Sequence, residues 1–167
     1  MACIAFLAAF GAAISGCTEP APVTEPAGPP AFYQQLASSS AEVDPIAARD
    51  IISVYRRNNG LPTVSVDAGL QNEARAQALA MAKANLPSQN LRGSLKSRLK
   101  AAKQDHVAAV ENVSAGYHTL AEAFSGWRQS PPHNSNMLNP KVRKIGIATA
   151  YVPGSKYKVF WALVLTD

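Results

Sequence analysis

The sequence lacks thiols everywhere except in its first segment, and this absence limits the chemistry of the folded part. Both cysteines, Cys3 and Cys17, lie among the first 17 of 167 residues. The remainder can therefore form neither a disulfide nor a cysteine-ligated metal site. Charged residues make up only 16% of the chain and aromatic residues 7%, whereas 47% are hydrophobic. This composition is typical of one small globular domain with an ordinary apolar core and a tail.

The chain also lacks a motif for reading nucleic acid. Its formal net charge is +5, but Lys and Arg are dispersed from Arg49 to Lys158. No interleaved aromatic residues or base-reading motif accompany them, so we expect no nucleic-acid partner. Weak attraction to anionic envelope polymers or lipids is the expected consequence of the charge. We interpret one loose basic cluster as a solvated face: Arg92, Lys96, Arg98, Lys100 and Lys103.

No charge occurs in residues 1–16, which are almost wholly apolar or small. Sixteen residues are fewer than the roughly 20 that span a bilayer as a helix, so they predict a cleaved signal peptide. The stretch 14–17, Ile-Ser-Gly-Cys, is similar to a bacterial lipobox. It predicts a mature lipoprotein acylated at Cys17 and attached to the envelope, at the outer membrane or periplasmic face. The alternative is an ordinary secretory signal with an incidental cysteine, and no Lys or Arg supplies a positive n-region before Arg49.

Residues 17–43 are interpreted as the acylated cysteine followed by a disordered linker. Five prolines fall within residues 18–31, and the stretch 37–41 reads Ala-Ser-Ser-Ser-Ala. Such segments have no apolar pattern to bury and favour extended, semi-rigid geometry. We therefore expect a spacer that lifts the domain, residues 44–167, clear of the membrane.

Helix-start signals dominate the first part of the domain. Asp44-Pro45 predicts one helix, and Asp67 caps a second whose apolar face runs along Leu70, Ala74, Ala78, Met81 and Ala82. A shorter helix is predicted over 94–102. A capping box, Thr119-x-x-Glu122, opens another helix, in which Trp127 is interpreted as a core anchor.

Strands are predicted over 107–113, 144–152 and 157–166. In the last strand, Tyr157, Val159, Trp161, Leu163 and Leu165 face one way, while Phe160, Ala162 and Val164 face the other. A sheet that is apolar on both faces requires helices above and below it. The fold class is therefore α+β, an α/β/α sandwich around a central, mainly antiparallel sheet.

Two motifs flank the fourth predicted helix. Residues 111–116 read Glu-Asn-Val-Ser-Ala-Gly, and residues 130–138 read Ser-Pro-Pro-His-Asn-Ser-Asn-Met-Leu. Together they resemble the bacterial branch of the CAP superfamily, which comprises cysteine-rich secretory proteins, antigen 5 and pathogenesis-related 1 proteins. The resemblance covers roughly residues 44–166 and implies the same sandwich fold.

In that family, two histidines and two acidic residues describe a central cavity, and in some members the histidine pair binds a divalent metal. The resemblance assigns Glu111 and His133 to two of these positions. Gln89 stands where the first histidine is expected, and the second acidic position falls near Gln129 or Ser130. Because half of the tetrad is absent, we expect no metal and no cofactor. His106 lies five residues before Glu111, so on a regular strand its side chain faces away from the site.

We expect Glu111 and His133 to face one cavity as a hydrogen-bonded pair, with Asn112 and Asn136 adding uncharged donors and acceptors. The leading hypothesis is a monomeric, envelope-anchored module whose cavity binds a small polar, lipid or cell-wall-derived ligand. A second hypothesis is a hydrolase in which His133 acts as base for Ser130 or for a water. In the structural alternatives, Glu111 is a buried carboxylate that satisfies loop amides and His133 and holds the fold together. Asn136 then bonds the backbone of an irregular 131–140 loop, and Ser130 caps the turn with Pro131-Pro132.

Overall fold

The computed structural model describes residues 28–104 and 108–167 of the chain. The predicted signal peptide, Cys17 and His106 lie outside the described residues. The 3-10 helix η1 spans Ala31–Tyr33, and five α-helices follow: α1 (Pro45–Asn58), α2 (Ala68–Ala84), α3 (Leu95–Ala101), α4 (Leu120–Gln129) and α5 (Pro131–Met137). The strands are β1 (Ser65–Val66), β2 (Ala109–Ala115), β3 (Lys144–Tyr151) and β4 (Val159–Thr166). None of the described helices combines the length and apolar character needed to cross a bilayer.

The helix starts are those that the capping residues predict. The Asp44 carboxylate accepts a hydrogen bond from the Ile46 amide at 2.8 Å, and Asp67 does the same for Leu70 at 2.9 Å. Thr119 and Glu122 form the complete capping box, with each side chain bonded to the other's backbone amide. These side chains satisfy amides that have no partner inside the helix, which fixes where each helix begins.

The four strands form one sheet in the order β1-β3-β4-β2. β3 and β4 pair antiparallel, as do β4 and β2, whereas the short β1 runs parallel to β3. The prediction of a mainly antiparallel sheet is confirmed, and β1 is an addition to it. β2 lies at the edge of this sheet, so one side of its backbone has no neighbouring strand among residues 28–104 and 108–167.

Helices cover both faces of the sheet, which confirms the α/β/α sandwich. Trp161, Leu163 and Leu165 of β4 pack with α1 and α4 in one core, and Phe160, Ala162 and Val164 pack with α2 in the other. Tyr157 departs from the predicted alternation, since it packs in the second core with Phe160. The left-handed backbone of Lys158, with φ of 62°, breaks the alternation just before β4 begins.

Two described segments differ from their predictions. Residues 28–43 are not a disordered linker: Leu36 is only 2% exposed, its amide donates to the His118 carbonyl, and Val43 is also buried. The folded domain therefore begins before residue 44. The predicted irregular 131–140 loop contains α5, because its two prolines occupy the first helical turn, where proline fits.

Trp127 is 1% exposed and meets Trp161 edge-to-face, so its prediction as a core anchor is confirmed. Its indole nitrogen donates to the Ser114 hydroxyl of β2 at 3.1 Å. This contact ties α4 to the edge strand. The strand therefore has a fixed position, and its side chains alternate between the two helix layers.

Candidate functional site

β2 sends its consecutive side chains into different layers of the sandwich. Ala109 and Val113 pack in the core with α2 and α3, and Glu111, which lies between them, points the same way. Asn112 points into the other layer, where its amide donates to the His133 carbonyl of α5 at 3.0 Å. The alternation of the strand therefore separates the Glu111 carboxylate from the helix that carries His133.

The Glu111 carboxylate is bound by an arginine. Arg98 of α3 donates to both carboxylate oxygens through Nη2, each at 2.9 Å. Its Nη1 donates to Glu73 at 3.0 Å and to Gln77 at 2.6 Å, both on α2. Arg98 and Glu73 are each 5% exposed and Glu111 is 4% exposed, so these ions are almost fully removed from water.

Arg92 completes this cluster by donating to Glu73 at 2.8 Å from a half-buried position. Two guanidinium groups then face two carboxylates, so the formal charge of the four residues is zero. Burial raises the pKa of Glu111, and the hydrogen bonds and charge of Arg98 partly oppose that rise. The cluster joins α2, α3 and β2, so its first role is to hold three elements together.

Side-chain amides bind the open edge of β2 at the same residue. The Glu111 carbonyl accepts from Gln89 Nε2 at 3.0 Å and from Asn136 Nδ2 at 3.1 Å. Asn136 Nδ2 also donates to Asn112 Oδ1 at 2.9 Å. Asn136 therefore has a structural contact, but the backbone that its side chain bonds belongs to β2 and not to the 131–140 segment, as the structural alternative had it.

His133 does not pair with Glu111. Among the contacts of residues 28–104 and 108–167, no hydrogen bond or ion pair joins its imidazole to that carboxylate, and only its backbone carbonyl meets Asn112. Burial lowers the pKa of His133, which favours the neutral ring. The predicted Glu111–His133 pair is therefore wrong. Asn112, the next residue of β2, faces the helix that carries His133, so the side chain of Glu111 points to the opposite face of the sheet.

The described contacts do not assemble a Ser130–His133 couple either. Ser130 occupies the N-cap position of α5, yet its side chain makes no capping hydrogen bond there, so its predicted capping role is wrong. Within the described part of the chain, no hydrogen bond links its hydroxyl to the imidazole and no carboxylate orients the ring. The geometry of a nucleophile activated by an oriented base is not formed.

A groove of about 230 Å³ lies along the edge of β2. It brings together three of the predicted site residues, Gln89, Glu111 and Asn136, and leaves out His133 and Asn112. An apolar strip lies beside these polar groups. The complete lining is Gln89, Asn90, Ser94, Leu95, Ala109, Val110, Glu111 and Asn136.

The donor set of this groove does not fit a metal ion. Glu111 has both oxygens on Arg98, and Gln89 turns its amide nitrogen toward a carbonyl. The described residues also contain no group of three or more His, Cys, Asp or Glu side chains placed to bind one metal ion. A divalent cation normally needs more ligands than this, so no step of a mechanism is assigned to one.

The sequence interpretation missed four residues of the buried cluster: Glu73, Gln77, Arg92 and Arg98. It placed both arginines on a solvated face, which is wrong for Arg98. A signal was present on α2, where Glu73 and Gln77 are four residues apart and flank the apolar positions 74 and 78. Polar residues beside a buried stripe indicate partners in the neighbouring layer.

Comparison with known proteins agrees with this architecture. The model of the cysteine-rich secretory protein family, CAP, matches residues 49–165. The uncharacterized protein YkwD of Bacillus subtilis (strain 168) is 28% identical over 100 residues, which make up 59% of this chain and 39% of that protein. The matched region thus covers well under half of that relative.

Solved structures share the fold at lower identity. An extracellular protein containing an SCP domain from Bacillus anthracis superposes with a TM-score of 0.64 at 23% identity, over 73% of this chain and 39% of that one. An outer surface protein from Borrelia burgdorferi gives a TM-score of 0.65 at 18% identity, over 76% of this chain and 97% of that one.

Proposed function

The chain belongs to the CAP, or cysteine-rich secretory protein, family, and from this premise we propose that it is an envelope-anchored binding protein. In this proposal, residues 1–16 are a cleaved signal peptide and Cys17 carries the lipid that attaches the chain to the membrane. The domain then binds a small polar ligand in the groove beside β2. A cell-wall-derived glycan is the ligand class that suits the groove best.

The single observation that carries the binding proposal is the chemistry of the groove lining. Asn90 presents its side-chain amide, Gln89 and Asn136 present their amide oxygens because their amide nitrogens bind the Glu111 carbonyl, and Leu95 and Val110 present apolar surface beside them. Sugar rings have hydroxyl and amide edges and apolar faces, so a mixed lining of this kind is complementary to them. The volume of about 230 Å³ is below that of a drug-sized pocket, so the groove suits a single sugar ring at the edge of the strand.

Charge selects against ionic ligands in the same groove. Glu111 is the one carboxylate in the lining, and Arg98 binds both of its oxygens. A cationic ligand would have to compete with a buried, charge-assisted ion pair in which Arg98 Nη2 contacts both carboxylate oxygens. The proposed ligand is therefore neutral at the groove, as N-acetylated sugars are.

An envelope location is supported from two sides. The stretch 14–17 is similar to a lipobox, and the structural relatives from Bacillus anthracis and Borrelia burgdorferi are named as an extracellular and an outer surface protein. Mass spectrometry of the chain extracted from host membranes tests the anchor directly. We expect an amino-terminal Cys17 with acyl chains, and a thiol-bearing or uncleaved amino terminus would contradict the anchor.

Glycan binding is tested with a soluble oligomer of N-acetylglucosamine, followed by NMR shifts of the purified chain. We expect shifts at residues lining the groove, and we expect Asn90→Trp to weaken binding about tenfold or more, since an indole would fill the opening. Asn90 is exposed and its side chain makes no described contact, so folding should be unaffected. Asn58→Trp, at the exposed end of α1, is the matched control.

Binding that is unchanged by Asn90→Trp, or shifts confined to another face, would contradict the groove as the site. The hydrolase hypothesis has no comparable support, because the described contacts form no couple between Ser130 and His133. A serine-directed activity probe gives its direct test, and labelling at Ser130 would overturn the preference for a binding role.

A further inference from the structure

A second depression in the described surface, far more apolar than the first, lies between η1 and α1. Its volume is about 410 Å³. Asp50 is its one charged lining residue, and Arg49 pairs with that carboxylate at 2.6 Å, which lowers the charge presented there. The lining residues are Pro30, Ala31, Phe32, Ala47, Asp50, Ile51 and Val54.

Exposed apolar side chains occur in the lining of this depression and at positions next to it in sequence. Tyr33 is 57% exposed, Ile46 is 47% exposed and Val54 is 46% exposed, so half of the six large hydrophobic residues found exposed in the described part of the chain belong to η1 and α1. On α1, positions 46, 47, 50, 51 and 54 share one helix face by their spacing of three and four. We call this surface, η1 together with that face of α1, the α1 apolar face.

The α1 apolar face lies where the chain enters the domain. Gly28 is the first described residue, two positions before Pro30 of the lining. Ten residues, 18–27, separate it from Cys17, so even a fully extended connection of eleven steps reaches no more than about 40 Å. A lipid on Cys17 would therefore keep this face within about 40 Å of the bilayer, and the face lies at the end of the domain where the anchored segment enters.

We propose that the α1 apolar face docks on the lipid bilayer, with Tyr33, Ile46 and Val54 entering the interface. This inference rests on the proposed lipid anchor, which supplies the proximity. Amphipathic surfaces bind membranes when apolar side chains enter the headgroup boundary and basic charge is attracted to anionic lipid. The α1 apolar face meets the first of these conditions, and its docking does not depend on the basic residues, which are dispersed along the chain.

Docking in this orientation has a consequence for the binding groove. α1 belongs to one helix layer, whereas α2 and α3 cover the other face of the sheet. Placing α1 on the bilayer turns α2 and α3 toward the aqueous phase. Ser94 and Leu95, which line the groove at the start of α3, are then accessible to polymers outside the membrane.

The absence of thiols after Cys17 makes a site-specific test available. A Val54→Cys variant, which carries one thiol in the folded domain, is purified in its acylated form from host membranes. It is labelled with an environment-sensitive fluorophore and mixed with phosphatidylethanolamine–phosphatidylglycerol vesicles. Leu79→Cys on α2 is the matched control, because Leu79 is 57% exposed in the opposite layer. We expect a blue shift and quenching by brominated lipid at 54, and neither at 79.

A charge substitution tests whether the apolar contact causes the signal. With the label at Tyr33→Cys, Val54→Glu should abolish the blue shift and Leu79→Glu should preserve it. Equal exposure of labels 54 and 79 on an acylated chain overturns the docking while leaving the anchor intact. A blue shift that needs no vesicles and grows with protein concentration also overturns it, because the face then binds another copy. A chain without acylation at Cys17 overturns the anchor and the docking together.

Discussion

Arg98 is the residue on which the buried charges depend. Its guanidinium donates hydrogen bonds to three residues, Glu73, Gln77 and Glu111, and the residue is only 5% exposed. Removing a buried partner leaves the remaining ions without compensation, which is more costly than the loss of a surface pair. The effect of a substitution here therefore differs sharply from that at the exposed Arg75–Glu42 pair.

We predict that Arg98→Met lowers the free energy of unfolding by about 3–5 kcal/mol at neutral pH, because the buried Glu111 carboxylate loses its cation and Glu73 keeps only Arg92. Arg75→Met is the control, and its exposed pair with Glu42 predicts a loss below about 1 kcal/mol. Urea titration followed by circular dichroism measures both. Equal losses in the two variants would contradict the assigned role of Arg98.

The same variant has a predicted pH dependence. Burial raises the pKa of Glu111 above its unfolded value of 4.5, so the folded state binds this proton more tightly than the unfolded state. The stabilisation of the folded state by this proton is fully present below the unfolded-state pKa. It is lost as the pH rises through the folded-state pKa. Arg98 opposes this rise, so removing it raises the folded-state pKa of Glu111 further. The loss of unfolding free energy caused by Arg98→Met should therefore be smaller at pH 5 than at pH 8. A loss that is the same at both pH values would contradict this prediction.

At this scale, the sequence located some residues and misjudged their partners. The motif around Glu111 indicated a buried carboxylate, and Gln89 and Asn136 do reach the same strand residue. The side-chain direction of Glu111 was missed because a strand predicted over 107–113 does not show which helix packs on which of its two faces. Charge in a short helix such as α3 reads as solvated unless the opposing carboxylates are known.

At the scale of elements, α2 packs against β3 with no room for a side chain at Gly146. A Cβ built on Gly146 would lie 2.1 Å from the carbonyl carbon of Leu70 and 2.5 Å from the Gln71 amide nitrogen. These are backbone atoms of α2, so they cannot move aside without moving the helix. Gly146 is therefore required by the packing of helix on strand.

We predict that Gly146→Ala lowers the free energy of unfolding by about 3 kcal/mol, because the added methyl group forces α2 away from the sheet. Gly154→Ala is the matched control, since a Cβ there meets no atom within 4 Å. Thermal unfolding of both variants provides the measurement. A Gly146→Ala variant as stable as the control would mean that α2 is not seated on β3 as described.

Element prediction succeeded where a local physical signal existed. Asp44, Asp67 and the Thr119–Glu122 box mark helix starts, and the two-sided apolar pattern of β4 demanded a covered sheet. α5 was missed because asparagine, serine and histidine are weak helix formers, and its two prolines suggested a turn. The parallel β1 has only two residues, too few for any periodicity.

At the scale of the whole molecule, the folded domain is larger than predicted, because residues 28–43 pack on residues 44–167. Leu36 and Val43 belong to the core formed with α1, α4 and β4. The serine-rich and proline-rich composition of this stretch obscured two buried side chains that are widely spaced in sequence. Their burial depends on a surface assembled by distant residues, which no local pattern encodes.

We predict that Leu36→Ala lowers the free energy of unfolding by about 3 kcal/mol, the usual cost of truncating a buried leucine. Leu79→Ala, at a leucine that is 57% exposed, should cost less than about 1 kcal/mol. Denaturant titration compares the two leucines directly. If both substitutions had the same small effect, residues 28–43 would behave as the linker that their composition suggests.

The hydrogen bonds that Gln89 and Asn136 donate to the Glu111 carbonyl affect whether neighbouring copies of the chain can pair edge to edge. An open sheet edge is a template on which a second chain can add a strand, and this is a common route to aggregation. Here the outward carbonyl in the middle of β2 is already occupied by two side chains. Neighbouring copies confined to a surface would find that register obstructed, so lateral strand exchange between them is disfavoured.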